Sequence, residues 1–324
     1  MKRLGEYCIA WWNLENLFDV ENSTERPDWL KKELKSELKG WNQTVLNKKI
    51  SQLSKIISKI NGGNGLDILG VCEVENKPVM NLLVNSLSSH GRAYKVAHHD
   101  TSDQRGIDVA FIYDSNKFTF ERQFFHVILK RTATRDLFQV NFKLGNRMLI
   151  LVGNHWPSRS AGTLYSEPYR ILAAETLSYW HKRILEEQGE DVAIIFMGDF
   201  NDEPHSRSMT QYALSTNSKL KVSRTRSAPR SYNLMWPLMG QGLGTYYYDG
   251  FPYFFDQFLV SKGTIKTSSH IKVKPNSVKI ERFPEMMQGL YKVPRRFGRP
   301  SAKKTYDEQG FSDHFPISLM LEAV

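Results

Sequence analysis

The stretch Ile194-Ile195-Phe196-Met197-Gly198-Asp199-Phe200-Asn201-Asp202 constrains this chain most. It has the length and apolar run of a buried strand, and it ends abruptly in a carboxylate and a carboxamide two residues apart. The same placement recurs along the sequence. Asn13 follows Cys8 to Trp12, Glu73 follows Leu69 to Cys72, Asp108 opens Val109 to Tyr113, and His155 follows Leu149 to Asn154. Asp313 and His314 precede Phe315-Pro316-Ile317-Ser318-Leu319. A polar group buried without a partner is costly. Its repetition at strand after strand points to one site assembled from distant parts of the chain, rather than to unrelated strand ends in water.

Around these positions the pattern alternates strands and helices. A strand at 6–12 precedes a charged, exposed helix over roughly 28–39. Val45, Leu46, Ile50, Leu53, Ile56, Ile57 and Ile60 then recur at helical steps and stop at Asn61-Gly62-Gly63. A buried strand at 66–72 follows, then candidate strands at 94–98, 107–113, 119–128, 136–143 and 147–154. A second amphipathic helix is expected from Ser166, acting as its cap with Pro168 in the first turn, to Gly189, before a strand at 192–198. Residues 218–244 read as a long surface loop. Tyr246 to Phe251 reads as a strand entering a hairpin at Asp249-Gly250, with Phe254 to Val260 returning. Residues 281–311 are rich in Lys, Arg, Gly and Pro, and no linker long enough to separate two domains is visible.

The net charge of +10 favours polyanionic partners, with a lysine-rich surface as the plainer alternative. Cys8 and Cys72 sit in apolar runs and are expected to be buried free thiols, which suits a reducing compartment. Two cysteines exclude a disulfide framework and a four-cysteine zinc site. Met1 to Glu6 lacks the apolar region of a signal peptide, and no stretch has the length of a membrane span. A cytoplasmic monomer is expected, or a secreted one if a signal was removed.

The carboxylates lack zinc-type spacing and suit a hard cation such as Mg²⁺. Glu73 is the first candidate ligand and Asp313 the second. No His-x-x-x-His helix, Gly-x-Ser-x-Gly, Walker A or Gly-x-Gly-x-x-Gly motif is present. Metal-assisted hydrolysis with His and Asp as acid–base groups remains.

Trp12-Asn13-Leu14-Glu15-Asn16, Val71-Cys72-Glu73-Val74-Glu75-Asn76, Asn154-His155-Trp156-Pro157-Ser158-Arg159, Met197 to Asp202, Phe255-Asp256-Gln257 and Ser312 to Pro316 together resemble the endonuclease/exonuclease/phosphatase superfamily, the DNase I-like fold. The resemblance spans residues 12 to 316 in the family's order. It implies an α/β fold in one domain over 1–324: two packed, mostly antiparallel β-sheets flanked by helices. It implies Mg²⁺- or Mn²⁺-dependent phosphoester hydrolysis, with nucleic acid as substrate. A small-molecule or lipid-headgroup phosphoester, of the inositol phosphate or sphingomyelin type, is the alternative, and a catalytically inactive binding protein is a further one.

By the same resemblance, Glu73 matches the metal-binding Glu, Asp313 the metal-proximal Asp and Asn13 the Asn of the metal-site network. Asp199 matches the Asp that positions or deprotonates water, and Asn201 the amide that binds the scissile phosphate. His314 and His155 match the two histidines, and Asp256 fits as the partner of His314. The departure at His155 from the apurinic endonuclease pattern counts against abasic-site repair.

Asp108 is the candidate partner of His155, with a surface salt bridge as the alternative. Glu75 is a candidate supporting group or second-metal ligand, or else an exposed strand-end acid. Arg105 and Arg159 are candidate phosphate clamps. The run Lys292, Arg295, Arg296, Arg299, Lys303 and Lys304 offers a track for a nucleic-acid backbone or a solvated loop.

Overall fold

A computed structural model describes residues 5–224, 228–299 and 306–324. In chain order its strands begin with β1 (Gly5–Leu17), β2 (Ile68–Val74), β3 (Tyr94–His98), β4 (Asp108–Asp114), β5 (Thr119–His126), β6 (Leu137–Leu144), β7 (Arg147–His155), β8 (Ala193–Asp199) and β9 (Ser215–Thr216). They continue with β10 (Ser231–Asn233), β11 (Tyr246–Tyr248), β12 (Phe251–Tyr253), β13 (Asp256–Val260), β14 (Ile271–Val273), β15 (Lys279–Ile280), β16 (Met287–Gln288), β17 (Val293–Pro294) and β18 (Ile317–Ala323). The α-helices are α1 (Asp28–Leu34), α2 (Gln43–Lys59), α3 (Lys77–Ser86), α4 (Thr163–Gln188) and α5 (Lys219–Arg224).

Two sheets form the body. One runs β14-β18-β1-β2-β4-β3 with β15 also on β18, and the other runs β5-β6-β7-β8-β13-β10-β9. Only the β1–β2, β7–β8 and β9–β10 ladders of these sheets are parallel. Side chains alternate with the strand period. On β1, Tyr7, Ile9 and Trp11 fill the layer between the sheets, while Cys8, Ala10, Trp12 and Leu14 face the helical layer that includes α2 and α3. On β8, Ile195 and Met197 face inward, and Ile194 and Phe196 pack with α4 residues such as Leu177. The result is an α/β sandwich of two mostly antiparallel sheets flanked by helices, as the resemblance implied. Cys8 and Cys72 are buried free thiols on opposite faces of the first sheet. No helix among the described residues is long and apolar enough to cross a membrane.

Several local expectations need correction. The charged helix is shorter than expected, and it buries Leu30 and Leu34. Helix α4 starts three residues before Ser166, whose buried hydroxyl donates to Gly162 O (2.7 Å) and accepts from Arg170 Nη1 (2.7 Å). A side chain that finishes its own first turn in this way lies inside the helix rather than at its cap. The stretch 218–244 is not one loop, because it holds α5 and β10, although 225–227 lie outside the described residues. The hairpin closes at once through Asp249 (φ 50°) and Gly250 (φ 78°). Two left-handed residues make the tight turn that pairs β11 with β12, so Phe254 to Val260 is not the returning strand. Asp256 instead opens β13, which crosses to the second sheet beside β8.

Candidate active site

The parallel pairs β1–β2 and β7–β8 carry Asn13, Glu73, His155 and Asp199 at or near their C-terminal ends. Asp256 starts the antiparallel β13, and His314 lies just before β18. Irregular backbone then aims the side chains. The β1–β2 register shifts between Asn13 and Leu17, and the β2–β4 register shifts between Cys72 and Val74. Glu15 (φ 51°), Asn16 (φ 58°), Glu73 (φ 62°) and Asn201 (φ 50°) are left-handed. Such bulged and strained residues are how a strand end redirects a side chain.

At the centre, Asp199 is 2 % exposed. Its Oδ1 accepts from the Asn201 backbone N–H (2.9 Å) and its Oδ2 from Asn13 Nδ2 (3.1 Å). Asn13 Oδ1 in turn accepts from the Glu15 N–H (2.9 Å), so its carboxamide is engaged at both ends. The Nε2 atoms of His155 and His314 each lie 3.9 Å from Asp199 Oδ2. Burial pushes the Asp199 carboxyl up to about 6, against the lowering pull of His314.

The two imidazoles have opposite surroundings. His314 Nδ1 donates to Asp256 Oδ2 (2.6 Å), and Asp256 Oδ1 accepts from Trp11 Nε1 (3.1 Å). Burial opposes charge on His314, but Asp256 and Asp199 outweigh it and hold its pKa well above the usual value. For His155, burial, the Arg135 and Arg105 guanidiniums and His314 all lower the pKa, keeping the ring neutral. Its Nε2 lies 3.6 Å from Glu73 Oε1, and its buried Nδ1 has no hydrogen-bond partner among the described residues.

Glu73 Oε2 accepts from the Asn16 N–H (3.0 Å), and the side chain is 15 % exposed toward the cavity. Burial and the neighbouring Glu15 raise the Asp313 pKa to about 7. A carboxyl pushed up by burial and other carboxylates is one that a cation would relieve. The oxygen-only donors Glu73 and Asp313 therefore fit a hard divalent ion. A cavity of about 610 Å³ brings together Glu73, His155, Asp199, Asn201, Asp313 and His314. Arg105, Arg159, Tyr246, Tyr253 and Phe255 also line it.

Other expected positions fall elsewhere or serve other partners. Asp108 is not the partner of His155. It accepts from Thr101 N–H (3.0 Å) and lies 3.5 Å from His98 Nε2. His98, Asp100 and Asp108 do bring ligand atoms within 4.8 Å of one another, yet the two nitrogens of His98 face different carboxylates. Glu75 is neither exposed nor directed at the cavity, because it is buried in a bidentate pair with Arg26 (2.6 and 2.7 Å). Asn201 Nδ2 donates to the Trp156 carbonyl (3.1 Å). Arg159 is tethered to Asp202 Oδ1 (2.6 Å) and Asn201 O (2.8 Å), and its guanidinium lies 4.8 Å from the Phe255 ring centre. Arg105 is half-exposed near Asp103 (3.7 Å).

The basic run is not a free track. Arg295 pairs with Asp307 (2.7 Å), Arg296 with Glu15 (2.7 Å) and Arg299 with Glu37 (3.0 Å), while Lys303 and Lys304 lie outside the described residues. Several participants were not among the expected site residues. Buried Arg135 donates to Asp103 Oδ2 (3.0 Å) and the Trp156 carbonyl (3.1 Å), Thr245 Oγ1 accepts from the Asp256 N–H (3.0 Å), and the Tyr246 ring lies 4.9 Å from that of His314.

No curated protein matches the chain. Solved structures do. Truncated TDP2 from Caenorhabditis elegans is 16 % identical, with a TM-score of 0.55 and 98 % of both chains covered. An endonuclease/exonuclease/phosphatase family protein from Bacteroides thetaiotaomicron is 14 % identical, with a TM-score of 0.56 over 100 % of both chains. A mannosyl-6-phosphatase from the same organism is 15 % identical, with a TM-score of 0.55, covering 97 % of this chain and 99 % of that one. At these identities the likeness concerns the fold alone. The family model described as Endonuclease/Exonuclease/phosphatase family matches residues 8–323, and with nearly the whole chain matched, this protein belongs to that family.

Proposed function

We propose that this protein is a phosphoester hydrolase dependent on Mg²⁺ or Mn²⁺ that cleaves phosphodiester bonds in nucleic acid. The observation that carries this reading is the meeting of two carboxylates, two differently charged imidazoles and a fixed Asp on one cavity. Glu73 and Asp313 would hold the ion, which when bound supplies Lewis acidity toward a phosphoryl oxygen. Asp199, held in place by Asn13 and Asn201, takes the proton of the attacking water. His314, kept cationic by Asp256, offers its Nε2–H to charge developing on the phosphoryl oxygens. Neutral His155 offers a second, uncharged donor beside Glu73. Arg105 and Arg159 at the cavity are the groups for flanking phosphates, and the +10 net charge favours a polyanion.

One similar structure is a mannosyl-6-phosphatase, so small phosphoesters are the competing class. The test presents plasmid DNA, single-stranded DNA and RNA beside sugar phosphates, inositol phosphates and sphingomyelin vesicles. Nucleic-acid cleavage should dominate and fall about a hundredfold or more in Asp199→Asn and in His314→Ala. Unchanged hydrolysis in both variants would overturn the acid–base roles. Full activity in excess chelator would overturn the metal.

A further inference from the structure

Lys49 is fully buried on the inward side of α2. A buried ammonium has to be matched by acceptors. Its Nζ donates to the carbonyls of Glu15 (3.1 Å) and Phe311 (2.9 Å), and lies 4.0 Å from Glu15 Oε2 and 5.0 Å from the Phe297 ring centre. One carbonyl belongs to the β1 bulge that holds Glu73 in place, and the other to the segment that carries Asp313. Glu15 sits in the β1 bulge whose next amide, Asn16 N–H, holds Glu73 Oε2 at 3.0 Å. Phe311 stands two residues before Asp313, and Ser312 between them donates its hydroxyl to Asn13 O (2.6 Å). One ammonium therefore ties the segment that orients Glu73 to the segment that presents Asp313.

The carboxylate of Glu15, itself 1 % exposed, is gripped from the other side. Arg296 Nε donates to Oε1 (2.7 Å), Gly298 N–H donates to Oε2 (3.1 Å), and Arg296 Nη2 lies 3.5 Å from Asp313 Oδ2. We propose that Lys49 and Arg296 are positioning residues that clamp Glu15 from inside and outside, and so fix the spacing of Glu73 and Asp313 for a divalent cation. This rests on the reading of Glu73 and Asp313 as the ion's carboxylates. Neither cation touches a reacting atom, and their effect is exerted through backbone and carboxylate placement.

Mn²⁺ binding to the intact protein, followed by isothermal titration calorimetry and by the spin-resonance signal of free Mn²⁺, tests the clamp without any turnover. Lys49→Met should weaken binding about tenfold or more, in the range found when groups behind metal ligands are removed. Leu177→Ala, a core truncation on the buried face of α4, is the control: it should lower the melting temperature and leave Mn²⁺ affinity unchanged. Arg296 is more than half exposed, so Arg296→Gln keeps the fold and reads out even where Lys49→Met does not.

Arg296→Gln should weaken Mn²⁺ about tenfold. A merely repulsive neighbouring cation would give the opposite sign. Unchanged or tighter binding in Arg296→Gln, or unchanged binding in folded Lys49→Met, overturns the clamp. If the wild type binds no Mn²⁺, or Glu73→Gln binds it as well as the wild type, the metal-site reading itself fails, and the clamp with it.

Discussion

His314 and His155 are the same side chain put to opposite uses by their neighbours. His314 has a carboxylate on Nδ1, while His155 has guanidiniums nearby and a bare buried Nδ1. A histidine whose folded pKa is raised stabilises the fold fully below its unfolded pKa of about 6.5, and that contribution is lost as pH rises through the folded value. Asp256→Asn should therefore lower kcat about a hundredfold or more and move the alkaline limb of the kcat profile toward acid by about one pH unit or more. It should also flatten the decline of thermal stability on the alkaline side. Rate profiles and melts from about pH 6, near the ordinary histidine value, upward into the alkaline range check both, and an unmoved limb would show that Asp256 does not set the charge of His314. The positions of Glu73, Asp199 and His314 were legible because each polar group adjoins an apolar strand. The partners of Asp108 and Glu75 were not. His98, Thr101 and Arg26 meet them through strand-end geometry that no local pattern encodes.

At the scale of elements, two glycines govern how closely the sheets approach. A Cβ on Gly70, in β2, would lie 2.7 Å from the Trp11 ring and 3.0 Å from that of Phe111. One on Gly153, in β7, would lie 2.5 Å from Val109 and 3.1 Å from the same Phe111 ring. Phe111 thus fills a slot that one missing side chain from each sheet creates, in an interior with little room to give. Gly70→Ala and Gly153→Ala should each cost about 1–3 kcal/mol, as overpacked cores do. Because both press on Phe111, the double variant should depart from additivity. Urea unfolding of the three variants measures this, and strict additivity would mean that the ring is not the shared obstacle. Strands such as β3, with its five residues at 94–98, were legible from composition and alternation. Strand β10 was not, since its three residues gain their partners from β9 and β13 rather than from any pattern of their own. The hairpin was misjoined for a related reason. Asp249-Gly250 announced the turn, but only the sheet contacts show that Phe251–Tyr253 ends one sheet and Asp256 begins work in another.

For the molecule as a whole, the arginines are less available to a polyanion than the sequence implies. Arg295, Arg296 and Arg299 are occupied by acids, and Arg159 is shared with Asp202. Beside the His314 imidazolium, the basic side chains lining the cavity among the described residues are Arg105 and Arg159, so a bound strand should neutralise roughly two flanking phosphates there rather than the six to ten of an extended basic groove. That sets the salt dependence. For Asp199→Asn protein and a labelled single strand, log K against log salt should have a slope of roughly −1.4, and affinity should fall roughly sevenfold between 50 and 200 mM. Arg159→Met should remove about one contact from the slope. A much steeper slope would locate a second basic surface away from the cavity. A flat one would mean that the cavity does not neutralise the strand's phosphates, which would remove nucleic acid as the substrate and leave a small phosphoester as the occupant.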